Sequence, residues 1–373
     1  MICYMLRLGT FGFGGPVALV GYMRRDLVEQ RNWILPADYK EGLALAQLAP
    51  GPLAAQLAIY MGYVHYRILG ATLAGVAFVI PSFLMVAALG WAYVRFGGLP
   101  WMQAVFYGVG AAVIGIIVIS AQKLTLKSVG KDKLLWAIYL LLALVTVATE
   151  SEVAWLFIGA GVAVWLLRAP PKWLGNLPAA ALAQLPLASG WFGALDVSLL
   201  AQIGIFFIKA GAFVFGSGLA IVPFLYGGVV TEHHWLSDKQ FIDAVAVAMI
   251  TPGPVVITVG FIGYLIAGLP GATIAALGTF IPCYLFTVIP APYFKKYGKL
   301  PGVTAFVNGI TAAAIGAISG SVIVIAKRSI SDLPTAMIAL LSILLLRKFK
   351  KLPEPLLVVM AALAGLALYP LLH

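Results

Sequence analysis

Residues 45–52 read LAQLAPGP, and the Pro-Gly-Pro that closes this stretch returns as Pro252-Gly253-Pro254 within TPGP (Thr251–Pro254). Both copies lie inside long apolar runs. Each proline removes a backbone donor and the glycine between them loosens the chain, so neither run can be an unbroken helix. Helix can restart after the second proline, because proline suits the first helical position. A broken helix that occurs twice therefore sets the fold.

Working outward, other landmarks pair in the same order. FGFGG (Phe11–Gly15) matches FVFGS (Phe213–Ser217), and Trp33 matches Trp235 at an interval of 202 (235 − 33), the interval that also separates Pro50 from Pro252. Beyond the Pro-Gly-Pro the interval becomes 201: Gly62-Tyr63 pairs with Gly263-Tyr264, Gly70-Ala71-Thr72 with Gly271-Ala272-Thr273, and Ile80-Pro81 with Ile281-Pro282. Ordered landmarks at a fixed period indicate a duplicated chain. The expected organisation is one repeat over residues 1–168, a second over 198–373, and a linker over 169–197. Pro170, Pro171, Pro178 and Pro186 punctuate that linker.

Of the 373 residues, 62% are hydrophobic and only 10% charged, against about a quarter charged in soluble domains. Lipid must then be the solvent. Ten or more stretches approach the roughly 20 apolar residues of a membrane span, and their continuity argues against an alternating β-barrel. The net charge of +11 reflects basic cytoplasmic loops, so nucleic acid is not an expected partner. Cys3 and Cys283 lie in apolar runs and form no disulfide framework or metal motif. Met1–Leu8 carries Arg7 and does not read as a cleavable leader.

Loop charge discriminates between topologies. With both Pro-Gly-Pro segments re-entrant, each half has five crossings and the loop Lys and Arg residues divide 18 against 4; with both fully crossing, they divide 13 against 9. The first split satisfies the positive-inside bias. The expected fold is an all-α polytopic membrane protein of two inverted-topology repeats. It has about ten transmembrane helices, two re-entrant or broken Pro-Gly-Pro segments, and both termini outside the cytoplasm. In transporters of this architecture the substrate sits at the repeat interface near the midplane.

Several residues suit an anion there. The amides that follow Pro50-Gly51-Pro52 and Pro252-Gly253-Pro254 begin helices, and a helix N-terminus favours negative charge. Arg7 and Lys209 are equivalent cations within apolar spans (209 − 7 = 202), and intramembrane charge is costly unless it faces a cavity or partner. Gln47, Gln56, Thr251 and Thr258 flank the breaks as oxyanion donors or interhelical bonds. Gly14, Gly15, Gly216 and Ser217 allow close backbone approach. Glu41 and Asp243, equivalents before each break, read as proton carriers or helix-start charges.

The motifs FGGP (Phe13–Pro16), RNW (Arg31–Trp33), LAQLAPGP (Leu45–Pro52), FGSG (Phe215–Gly218), HHWLS (His233–Ser237) and TPGP (Thr251–Pro254) resemble those of the chromate ion transporter family in its long two-domain form. The resemblance implies a secondary transporter in the inner membrane that exports chromate, with sulfate as the isosteric physiological anion. No cofactor, metal or ATP site is expected, since no Walker motif is present. A transporter or channel for sulfate or another small oxyanion remains an alternative. An intramembrane enzyme would need a nucleophile–base pair that the sequence lacks. The expected partners are a small oxyanion and the bilayer, with homodimerisation left open.

Overall fold

The computed structural model describes residues 1–12, 15–96, 100–149, 154–170, 198–213, 221–297, 300–330, 332–349, 352 and 354–372. Among them there is helix and no strand. In chain order the first half holds α1 (Ile2–Phe11), α2 (Gly15–Met23), α3 (Pro36–Leu48), α4 (Leu53–Phe96), α5 (Pro100–Ser128), α6 (Lys133–Thr149) and α7 (Ala154–Arg168). The second holds α8 (Leu199–Ala212), α9 (Ile221–Tyr226), α10 (Asp238–Ile250), α11 (Thr258–Val288), α12 (Ala291–Tyr297), α13 (Pro301–Ser329), α14 (Leu333–Lys348) and α15 (Glu354–Leu372). The linker residues 171–197 lie outside the described residues.

Four helical stretches are long and apolar enough to cross a bilayer: Leu53–Phe96, Trp101–Leu126, Val255–Phe294 and Pro301–Lys327. Shorter apolar helices surround them. Many large apolar side chains point outward, Leu84, Val94, Leu144 and Leu363 among them. That is the surface of a multi-pass membrane protein, which meets lipid tails instead of water.

Neither α4 nor α11 is straight. Tyr66 and Arg67 leave helical geometry, with Arg67 at φ 52, and Ala267 and Gly268 do the same in α11, with Gly268 at φ 61. The chain reverses at both points. Gly62 then packs against the Gly70 carbonyl and Gly263 against that of Gly271, each so closely that a Cβ would overlap. Small residues at a helix–helix contact allow this approach. Each long helix is therefore a hairpin with a short limb before the reversal and a long limb after it.

The long limbs of the two halves run antiparallel. Thr72 and Tyr284 share a hydroxyl bond of 2.8 Å between them, and the short limb of α11 lies along the long limb of α4, with Gly260 against Phe83 and Val86 and Tyr264 against Gly90. Around this pair the halves interlock: α5 packs on α14 and α15, while α13 packs on α6 and α7. Close glycine contacts fix these crossings, with Gly108 against Ala361, Gly316 against Tyr139 and Gly309 against Ala160.

The first glycine-rich span departs from expectation. Five crossings per half require it to cross, yet the Tyr4 hydroxyl donates to Asp26 at 3.2 Å and the Arg31 guanidinium lies over the Tyr4 ring. A straight helix would hold Tyr4 and Asp26 about 33 Å apart, at about 1.5 Å per residue. So α1 and α2 do not form one straight helix, and the start of α1 lies beside the turn that holds Asp26 and Arg31. The physical reason is length, because the ten residues of α1 span about 15 Å, half a hydrocarbon core.

Candidate functional site

Pro36 starts α3 within its first turn, and the helix runs to Leu48 before Pro50-Gly51-Pro52 stops it. Gly51 adopts φ 142 and Gly253 φ 94, values open to glycine and strained for other residues. The chain turns back at each elbow. Gly42 on α3 lies flush against the Tyr60 ring on the short limb of α4, which makes α3 and that limb an antiparallel hairpin. In the second half a capping box at Ser237 starts α10. A short 3-10 turn (Val255–Ile257) follows Pro254 before α11 begins at Thr258.

The elbow of each half touches the other half. The Gly253 amide donates to the Gly12 carbonyl at the end of α1, 2.9 Å away. A Cβ at Gly253 would overlap Ser82 Oγ and come within 3.2 Å of the Gly9 carbonyl. Ser82 Oγ itself donates to Gly9 O at 3.1 Å. At the first elbow, a Cβ on Gly51 would stand 3.2 Å from Cys283 Sγ, on the long limb of α11. Ser82 and Cys283 are thus the residues behind the elbows. Sequence reasoning passed over them, although both directly follow the Ile-Pro pair that marks the repeat.

The polar flanks are less free than their sequence suggested. Gln56, fully buried, donates from Nε2 to the Pro50 carbonyl at 2.8 Å, while its Oε1 has no partner among the described residues. Its carboxamide braces the first elbow. Thr251 donates to Val247 O and Thr258 to Val255 O, both at 2.7 Å, so neither hydroxyl proton is spare for an anion. Gln47 is exposed on α3. What remains as donors are backbone amides: the first-turn N–H groups at Leu53–Ala55 have no acceptor within a helix that starts there, and these residues are buried. Pro52 and Pro254 open these segments, and Pro50 and Pro252 close the helices before them.

Gly15 opens α2; Gly14, Gly216 and Ser217 lie outside the described residues. Arg7 makes no hydrogen bond or ion pair among the described residues and lines a cleft of about 530 Å³ that reaches Gly12. Lys209, its equivalent, is on the exposed side of α8. Glu41 lies beside the Tyr60 hydroxyl. Asp243 is buried and accepts from the Tyr93 hydroxyl at 2.7 Å, a bond that spans the two halves. No three His, Cys, Asp or Glu side chains gather among the described residues as a metal site would need.

The arrangement is a pair of bent hairpins whose glycine elbows meet elements of the opposite half in a closely packed interior. Irregular backbone at such depth is tolerated where it is buried in protein or lines a cavity. Comparison with known proteins agrees with the motifs. A family model described as "Chromate transporter" matches residues 1–165 and again 201–366. The chain is similar to the "Chromate transport protein" of Cupriavidus metallidurans, 77% identical over 100% of this chain and 94% of the relative. It is 63% identical to a "Probable chromate transport protein" of Synechococcus elongatus, over 97% and 93%. A "Chromate transport protein" of Pseudomonas aeruginosa is 30% identical over 88% and 81%. No solved structure matches. With the broken-helix geometry and two matches to one family in a single chain, this protein belongs to the chromate transporter family.

Proposed function

We propose that this protein is a secondary transporter that carries chromate out of the cytoplasm through a site where the hairpin elbows of two inverted repeats meet. The observation that carries the reading is the bond from the Gly253 amide to Gly12 O, with Gly253 set against Ser82 and Gly51 against Cys283, the equivalent of Ser82. Each elbow belongs to one half and abuts the other, so displacement of one half against the other would open or close the site. Alternating access of one repeat against another works this way. Inversion is supported by the antiparallel run of the long limbs of α4 and α11.

The repeats are residues 1–168 and 198–373, and the face holding Arg24, Arg25, Arg31 and Arg67 is cytoplasmic by the positive-inside bias. A dianion leaving a negative interior gains about 2.3 kcal/mol per charge per 100 mV, so export is downhill without ATP. Sulfate shares the shape and charge of chromate and competes for the same amides. Asp243 supplies a coupling carboxyl. It is buried at the contact of α10 with α4 and has a phenol partner from the other half.

Uptake of chromate into everted inner-membrane vesicles, with sulfate, molybdate and phosphate as competitors, tests the proposal. The expected result is saturable chromate accumulation, inhibited most by sulfate. Linear, non-saturating flux of all four anions would indicate a channel instead.

A further inference from the structure

The clefts beside α1 and α8 occupy equivalent positions and differ in kind. In the first half, Arg7, Arg25 and Arg31 share a cleft of about 530 Å³ with Asp26, and Gly12 is part of its lining. Three guanidiniums against one carboxylate leave two net positive charges. Arg25 Nε is bound to Asp26 at 2.8 Å, Arg31 lies over the rings of Tyr4 and Trp33, and Arg7 is unengaged among the described residues. In the second half the same offset of 202 replaces Tyr4 by Phe206, Tyr22 by Phe224, Arg25-Asp26 by Gly227-Gly228, Gln30 by Glu232 and Arg31 by His233. There Phe206 stacks on Phe224 at 5.6 Å and meets His233 and Trp235 edge-on at 5.8 Å each. Gly228 lies so close under the Phe206 ring that a Cβ would overlap it. Aromatic rings fill the space that the first half keeps open.

We infer that the arginine cleft is the cytoplasmic capture vestibule for the oxyanion, and that the Phe206 cluster plugs the corresponding route from the opposite face. This rests on the inverted arrangement proposed above and adds which face loads the anion. Gly12, one of the residues lining the cleft, accepts from the Gly253 amide, so the cleft lies one residue away from the second elbow. A cleft lined by one sign of charge with low-dielectric walls concentrates its counter-ion. The unengaged Arg7 is the side chain available for charge-assisted bonding once an anion arrives. The positions equivalent to Arg7, Gln30 and Arg31 hold Lys209, Glu232 and His233.

The test uses the intact protein in vesicles of both orientations. Arg7→Gln and Arg31→Gln should each raise the apparent KM for chromate by about 10-fold or more at the face bearing Arg24, as loss of a charge-assisted bond implies. Half-saturation from the other face should stay unchanged. Arginine-specific labelling read by mass spectrometry gives a second measurement that needs no turnover: sulfate should protect Arg7 of wild-type protein in everted vesicles. Equal KM changes at both faces, unchanged KM at both, or labelling of Arg7 indifferent to sulfate would overturn the vestibule. A wild-type protein that moves no chromate, while Arg7 stays protected by sulfate, would instead overturn the chromate reading and leave the vestibule standing.

Discussion

The two halves use one backbone plan with different side-chain chemistry, and the carboxylates show it as clearly as the clefts do. Glu41 and Asp243 are equivalent, yet Glu41 finds a phenol in its own hairpin, at Tyr60, whereas Asp243 faces Phe261, which has no hydroxyl. Its partner is Tyr93 of the first half, whose ring also packs edge-on against Phe261 at 5.6 Å. At the position equivalent to Tyr93 the second half has Phe294. With tyrosine at both positions in the first half and phenylalanine at both in the second, Asp243 bonds across the halves where Glu41 bonds within its own.

Substitution at the elbows should break this scheme most severely. Gly253→Ala forces a Cβ into Ser82 Oγ and toward Gly9 O at φ 94, with strain of about 1–3 kcal/mol on the backbone alone. Chromate transport per inserted molecule should fall at least about 100-fold, reckoning strain together with the lost bond to Gly12. Gly51→Ala should cost less, because the nearest atoms are the movable end of Gln56. Flux normalised to membrane-inserted protein checks both, and equal losses would remove the distinction between the elbows.

Next in size is Asp243→Asn. A buried acceptor that bridges the halves is worth about 1–3 kcal/mol when its partner is left unmatched, so flux should drop about 10-fold and lose its dependence on the proton gradient. Glu41→Gln, with a half-buried side chain and a partner in its own hairpin, should lose less. Gradient-dependent uptake in proteoliposomes compares them, and a gradient dependence that survives Asp243→Asn would exclude this carboxyl from coupling. Smaller still are Thr251→Val and Thr258→Val. Their hydroxyl protons are already engaged with Val247 and Val255, so the KM for chromate should change less than about threefold, as for any group that gives the anion no bond.

The smallest expected effect lies outside the membrane. Arg168 forms an ion pair with Asp132, which also caps α6 through the amides of Leu134 and Leu135. The bond from Arg168 holds the Asp132 carboxyl below its ordinary range. A depressed carboxylate stabilises the fold above its unfolded pKa and ceases to do so as pH falls through the folded value. Arg168→Ala should lower thermal stability slightly at pH 7, and the loss should shrink as pH falls below the ordinary carboxylate range. A loss of equal size at every pH would mean that the pair carries no charge-dependent stability.

Much of this plan was legible in the sequence, because broken helices leave prolines and glycines at fixed intervals. Pro50-Gly51-Pro52 and Pro252-Gly253-Pro254 announced the elbows, and the interval of 202 between them located Arg7 against Lys209. Hydropathy could not show that α1 and α2 are not one straight helix. Ten apolar residues beside nine more read as one span, and only the contact of Tyr4 with Asp26 reveals the break. Ser82 escaped notice because one serine in an apolar helix has no pattern; its role comes from Gly253, 171 positions away (253 − 82). The threonines looked like donors because sequence cannot show that a helix carbonyl has already taken their protons.

The central claim is that the elbows approach each other from opposite faces of the membrane. Single cysteines at Arg24, in the loop after α2, and at His234, in the loop after the π-helical turn Gly227–Glu232, test it in intact cells. Both would be introduced into protein lacking Cys3 and Cys283 and exposed to a membrane-impermeant thiol reagent. The cysteine at position 234 should label from outside and the one at 24 only after the membrane is permeabilised, with an N-terminal tag accessible on the same side as position 24. Labelling of both cysteines from one side would contradict the inverted arrangement, and with it the meeting of Gly12 and Gly253 from opposite faces.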